Sequence, residues 1–176
     1  MDNIKHLDCS LRDGGYYNNW DFDNDLINQY LQVLESLNID FCEIGFRFYK
    51  NNGFKGSCAF TTEEFLESLT IPKNIKIAIM INANELISNE ELILDRLKQL
   101  IPLEASKSKV DMVRVACHSE IIKNICPVFD FLDNYGYISC CNITQISDKT
   151  DKKLIELSSI LSSSKVEILY FADSLG

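Results

Sequence analysis

Positive charge is scarce in this sequence. Seventeen Lys and Arg stand against 26 Asp and Glu, a formal net charge of −9 over 176 residues. That balance argues against a nucleic-acid backbone as the main partner, because phosphate binding needs a basic face. It leaves room for one arginine or a metal ion to grip a small anion. No CxxC occurs, and the seven cysteines are an odd number. Several lie in apolar strand-like runs, where Cys behaves as a small hydrophobe, so they read as buried free thiols in a reducing cytoplasm. No glycine-rich GxGxxG follows the first strand-like run, which removes support for a dinucleotide site. No run approaches the length of a membrane span, and Met1 to His6 has no apolar signal core.

What is present is organised around Leu7-Asp8-Cys9-Ser10-Leu11-Arg12-Asp13-Gly14-Gly15. An apolar strand over Ile4–Leu11 is expected to run into an Arg-Asp pair. The two glycines would then permit a turn with positive φ. An aspartate beside an arginine that keeps its charge suits a metal and an anionic substrate. Further strands are expected at Ile39–Gly45, Ile75–Ile81, Val110–Ala116, Tyr137–Ile143 and Val166–Phe171. Between them the apolar spacing predicts helices at Asp25–Leu37, capped by Asp23 or Asn24, at Glu63–Leu69, opened by Thr61 or Thr62, and at Asn89–Leu100, Ile121–Asn134 and Asp151–Leu161. Pro127 would lie near the start of its helix or kink it. Units of roughly 27 to 36 residues are the size of a βα repeat.

Continuous apolar strands alternating with amphipathic helices imply an α/β fold with a parallel sheet, either doubly wound or a (β/α)8 TIM barrel. Polar residues follow every strand: Arg12/Asp13, Glu43/Arg47, Asn82/Asn84, His118, Asn142/Gln145 and Asp173. A ring of functional groups at all the strand ends favours the barrel, whereas an open sheet gathers its ligand groups at one switch point. Six strands are two short of a barrel, so residues 1–176 are expected to be the N-terminal part of one barrel domain that continues past Gly176. Its uncovered edges predict self-association of the fragment or a homo-oligomer.

The opening motif closely resembles the first strand of the metal-dependent pyruvate aldolase and acyl-CoA lyase superfamily, which includes hydroxymethylglutaryl-CoA lyase and isopropylmalate synthase. Glu43-Ile44-Gly45 resembles that family's second-strand Glu-x-Gly. Val113-Arg114-Val115-Ala116-Cys117-His118 is similar to the fourth-strand segment of 4-hydroxy-2-oxovalerate aldolases, and Phe171-Ala172-Asp173-Ser174-Leu175-Gly176 to the sixth-strand signature. The resemblance implies a TIM barrel that cleaves a 4-hydroxy-2-oxo acid to pyruvate and an aldehyde. A divalent metal, Mn²⁺ or Mg²⁺, and an arginine would hold the enolate. The alternatives are a Claisen-type acyltransferase, an acyl-CoA lyase, or a binding module without catalysis. An aldehyde dehydrogenase partner fits the first.

By that resemblance Asp13 is a metal ligand and Arg12 the enolate stabiliser, with Glu43 orienting Arg12 or a metal-bound water. The family's His-x-His metal ligands have no counterpart here, where the histidines are His6 and His118. The site would therefore be one-third built, with the His-x-His expected downstream. The family's acid/base histidine is also missing. Tyr16 takes its place as proton donor or relay, and its ordinary pKa near 10 makes it a poor base at neutral pH. Candidate substrate contacts are His118, which could instead cap the following helix, Asn142, and Arg47, which suits a substrate carboxylate. Glu63, Glu64, Glu67, Glu85, Glu90 and Glu91 read as solvated helix faces.

Overall fold

Apolar strands that alternate with amphipathic helices must bury both sheet faces, and the order in which strands pair decides which architecture does so. The computed structural model describes residues 4–87 and 93–173. Among them, β1 (Leu7–Asp8), β2 (Phe41–Phe46), β3 (Lys76–Asn82), β4 (Val110–Cys117), β5 (Ile138–Thr144) and β6 (Ile168–Ala172) form one sheet in the order β1-β2-β3-β4-β5-β6. The pairs β1/β2, β2/β3 and β5/β6 are parallel. A strictly sequential order is that of a (β/α)8 barrel, and a doubly wound sheet reverses direction at its switch point. The fold is therefore α/β of the TIM-barrel type, with six strands among the described residues.

The chain divides into two compact units. The first comprises Met1–Met80 and Ser108–Met112. Its opening strand is shorter than expected. Pairing stops at Asp8, and Ser10–Asn18 is a helix, α1, that contains Arg12, Asp13 and both glycines. Neither Gly14 nor Gly15 has positive φ. The reason for glycine at position 15 is space: a Cβ there would lie 2.0 Å from the Trp20 indole. Helix α2 (Asn24–Ser36) is capped by Asp23, whose carboxylate accepts the Asp25 N–H. Ile27, Leu31 and Leu34 form its buried stripe, while Leu26, Val33 and Leu37 are exposed. Burying each stripe residue stabilises the unit by about 1.5–3 kcal/mol. Helix α3 (Glu63–Glu67) starts at Thr62, which accepts the Phe65 N–H. All six residues of β2 are buried. Its pairing with β3 slips between Glu43 and Gly45, so Ile44 is an extra residue in the ladder.

The second unit comprises Ile81–Lys107 and Val113–Gly176. It holds the short helix α4 (Ala83–Leu86), which the sequence pattern did not suggest, then α5 (Ile93–Leu100), α6 (Ile122–Asn134) and α7 (Asp151–Ser162). Asn89–Leu92 of the expected helix lie outside the described residues, as do Glu90, Glu91 and Ser174–Gly176 of the sixth-strand signature. Pro127 stands inside α6, where it removes one helical N–H donor. The helix persists because Ile122, Ile125, Val128, Phe129, Phe131 and Leu132 are buried along it. Tyr137 donates its hydroxyl proton to the Leu103 carbonyl at 2.8 Å. No helix among the described residues is long and apolar enough to cross a membrane.

Candidate active site

In the first unit the site is built on α1. Asp8, at the end of β1, accepts the Ser10 N–H (3.1 Å) and hydroxyl (3.0 Å), and also the Tyr30 hydroxyl (2.9 Å). It therefore anchors the start of a helix whose N-cap residue, Cys9, makes no side-chain cap. One turn on, Arg12 donates its Nε–H to Glu43 Oε2 at 2.7 Å and an Nη1–H to Asp13 Oδ1 at 2.6 Å. Glu43 is fully buried and Arg12 keeps 14% exposure. Burial works against the Arg12 charge, but Glu43, through its charge and hydrogen bond, and Asp13 outweigh it and raise the guanidinium pKa. The guanidinium is a fixed cation. Its Nη2 has no hydrogen-bond partner among the described residues.

Two features of β2 set Glu43 in place. The bulge at Ile44 re-aims the strand beside it. Gly45 is required because the Cys58 carbonyl oxygen occupies its side-chain position, 1.7 Å from where a Cβ would sit. The Glu-x-Gly spacing thus has a packing cause as well as a chemical one.

Around Arg12 stands an aromatic wall. Phe46 lies under the guanidinium at 5.9 Å. Tyr16 meets Trp20 and Phe46 edge-on, with ring centroids 4.9 and 6.2 Å away. Partial burial, with Asp13 and Glu43 nearby, raises the Tyr16 pKa despite the opposing pull of Arg12. At neutral pH Tyr16 holds its proton and can donate it. Trp20 donates its indole N–H to the Arg12 carbonyl at 2.8 Å.

Arg47 is placed differently from the expectation. It is 4% exposed, and it donates from Nε to the Thr61 carbonyl (2.9 Å) and from Nη2 to Glu63 Oε1 (2.7 Å). Glu63 also accepts the Ser108 hydroxyl and the Lys109 N–H, so it is not a solvated helix-face residue. Burial would raise the Glu63 pKa, but the hydrogen bonds from Arg47 and Ser108 hold it below the usual carboxylate range. These are the contacts of a structural ion pair, not of a cation awaiting a substrate carboxylate.

The second unit holds the other candidates. His118 takes the N-cap position of a short 3-10 turn without capping it. Its Nδ1 lies 3.0 Å from the Thr144 hydroxyl. With Asn82, Asn84, Ala116, Cys117 and Thr144 it lines an open pocket of about 200 Å³. Asn142 is 7% exposed, and its Oδ1 accepts from Arg114 Nη2 at 3.1 Å. Arg114 in turn lies 4.4 Å over the Tyr170 ring. Asp8 and Arg114 escaped the sequence reading of the site. Asp8 could have been found from its place two residues before a serine at a helix start.

Whether the residues present fit a divalent cation turns on donor chemistry. Asp13 is 64% exposed on its side chain and offers a carboxylate oxygen, the ligand type of Mg²⁺ or Mn²⁺. No group of three or more His, Cys, Asp or Glu side chains that could hold a metal occurs among the described residues. Asp13 fits as one ligand and does not complete a centre.

Comparison with known proteins adds the fold. No family model matches the chain, and no curated protein matches it. Solved structures do match it, two of them as follows. One is the N-terminal domain of a "putative aldolase" from Bacteroides vulgatus, with TM-score 0.71 and 24% identity over 96% of this chain and 63% of that one. The other is hydroxymethylglutaryl-CoA lyase from Pseudomonas aeruginosa, with TM-score 0.64 and 11% identity over 96% of this chain and 57% of that one. The chain spans less than two thirds of the length of either. At these identities the likeness is one of fold, and it sets the six strands of this chain on the scaffold that an aldolase domain and an acyl-CoA lyase share.

Proposed function

We propose that the protein is a divalent-metal-dependent aldolase that cleaves a 4-hydroxy-2-oxo acid to pyruvate and an aldehyde. On this reading residues 1–176 supply the N-terminal part of one TIM-barrel domain acting in the cytoplasm. The observation that carries the reading is the Arg12 guanidinium, pinned by Glu43 and Asp13 with Nη2 unspent on the described residues. The resemblance of the opening motif to the pyruvate aldolase and acyl-CoA lyase superfamily supports it.

In such a cleavage the 4-hydroxyl loses its proton and the C3–C4 bond breaks, with the electron pair ending on the C2 oxygen. Arg12 would donate from Nη2 to that oxygen, where negative charge develops. A preorganised donor of this kind is worth about 2.7–4 kcal/mol. Glu43 keeps the guanidinium from turning as the charge grows. The 4-hydroxyl proton would pass to solvent; Tyr16, which holds its own proton at neutral pH, would then protonate C3 of the enolate and be reprotonated from solvent. A bound divalent cation would act as a Lewis acid toward the 2-oxo group, with Asp13 as one oxygen ligand. The aldehyde product calls for a dehydrogenase that consumes it.

The test is pyruvate release from 4-hydroxy-2-oxo acids by the protein at its native length, with and without Mn²⁺. Activity should need the metal. Asp13→Ala should lower it more than tenfold, and Arg12→Ala by about 10²–10³. A smaller loss on Asp13→Ala would remove the metal role. Release of acetyl-CoA from an acyl-CoA substrate in place of pyruvate would overturn the assignment in favour of a lyase of the acyl-CoA type.

A further inference from the structure

Trp20 is the chain's single tryptophan, and its backbone does something costly. Asn19 and Trp20 are consecutive residues in the left-handed region, each with φ of 58°. A bulky aromatic residue rarely adopts that conformation, and strain of this sort persists only where the surroundings fix it. Here they do. Asn18 accepts the Trp20 N–H at 3.1 Å and donates to the Asp21 carbonyl at 2.8 Å. Gly56 donates its N–H to the Asn19 carbonyl at 2.9 Å. It packs so closely that a Cβ would lie 2.4 Å from the Trp20 carbonyl oxygen.

The strained turn folds the indole back along α1. Its Nε1–H reaches the Arg12 carbonyl, eight residues earlier, and its ring fills the space left by Gly15. The other side of the ring meets Tyr16, Phe46 and Phe48 edge-on. If the ring were only a plug for an apolar gap, phenylalanine would serve. It would need neither a buried N–H nor the costly turn that delivers it.

We infer that Trp20 is a positioning residue for Arg12: its indole N–H fixes the Arg12 backbone, so that the guanidinium stays on Glu43 with Nη2 presented outward. This rests on the reading of Arg12 as the oxyanion donor, but it is measurable without any turnover. The arginines of the chain are Arg12, Arg47, Arg96 and Arg114. The Nε–Hε resonance of Arg12 can therefore be assigned in a ¹H–¹⁵N spectrum by its loss in Arg12→Lys.

In Trp20→Phe, with an unchanged far-UV spectrum, the Arg12 Hε resonance should shift by more than its linewidth. It should also exchange with solvent at least tenfold faster, while the other three arginine signals stay in place. A Trp20→Phe protein that folds and leaves the Arg12 resonance unmoved overturns the inference. If Trp20→Phe does not fold, Gly15→Ala answers the same question, because the new methyl displaces the indole. Its tryptophan emission should shift to the red and the Arg12 resonance should move with it. A red shift without movement of the resonance overturns the inference, and so does an unshifted emission. Where pyruvate release is observed, Trp20→Phe should lower kcat about tenfold with KM little changed. Absence of pyruvate release from the wild-type protein would remove the proposed function, and the resonance would still decide the positioning role.

Discussion

A carboxylate with no exposed surface needs a cation, and Glu43 takes its own from thirty-one residues earlier. Removing one partner of a buried pair costs about 3–5 kcal/mol. Since Arg12 retains some contact with water, Glu43→Ala should fall near the lower bound, about 3 kcal/mol, read as a drop in the urea midpoint. Arg12, Asp13 and Glu43 were legible because they stand in a motif. The bond from Trp20 to Arg12 was not, because it depends on two left-handed residues that the local propensities of Asn and Trp do not favour. Arg47 misled for a related reason. An arginine just past a strand has the look of an anion site, and its true partner, Glu63, has the look of an exposed helix start.

The element scale shows where pattern and packing part company. The helical stripe of α2 and its Asp23 cap follow directly from spacing. The early end of β1 does not, since Leu11 is as apolar as a strand residue but lies buried within α1. In β2, the backbone of Cys58 leaves no room for a methyl group on Gly45. Overpacking costs about 1–3 kcal/mol, and against an immobile carbonyl Gly45→Ala should reach at least the upper value in chemical denaturation. Glu63 joins α3 to the residues just before β4 and has its pKa lowered by those contacts. A group whose folded pKa is depressed stabilises above its unfolded pKa, about 4.3, and loses that contribution as pH falls through the folded value. Stability measured from pH 5 downward should therefore fall less steeply in Glu63→Gln than in the wild type.

Across the whole molecule, the number and sequence of strands were readable from alternating apolar runs, and their sequential pairing agrees with the barrel reading. None of the seven cysteines forms a disulfide in the structure. Cys42, Cys58, Cys117, Cys140 and Cys141 are buried, and burial pushes the Cys58 thiol up to about 12. A thiol-reactive dye should label two sites, Cys9 and Cys126, in the native protein and all seven after denaturation. Five or more fast sites would contradict this burial. The first unit is assembled from two separate stretches of chain. It takes Ser108–Met112 from far along the chain, and those residues hand the Ser108 hydroxyl to Glu63 and the Asp111 carboxylate to the Ile77 N–H. Expressing residues 1–80 alone would strip both bonds away, so no single scission of the gene can deliver this half intact. The two halves are interleaved along the chain.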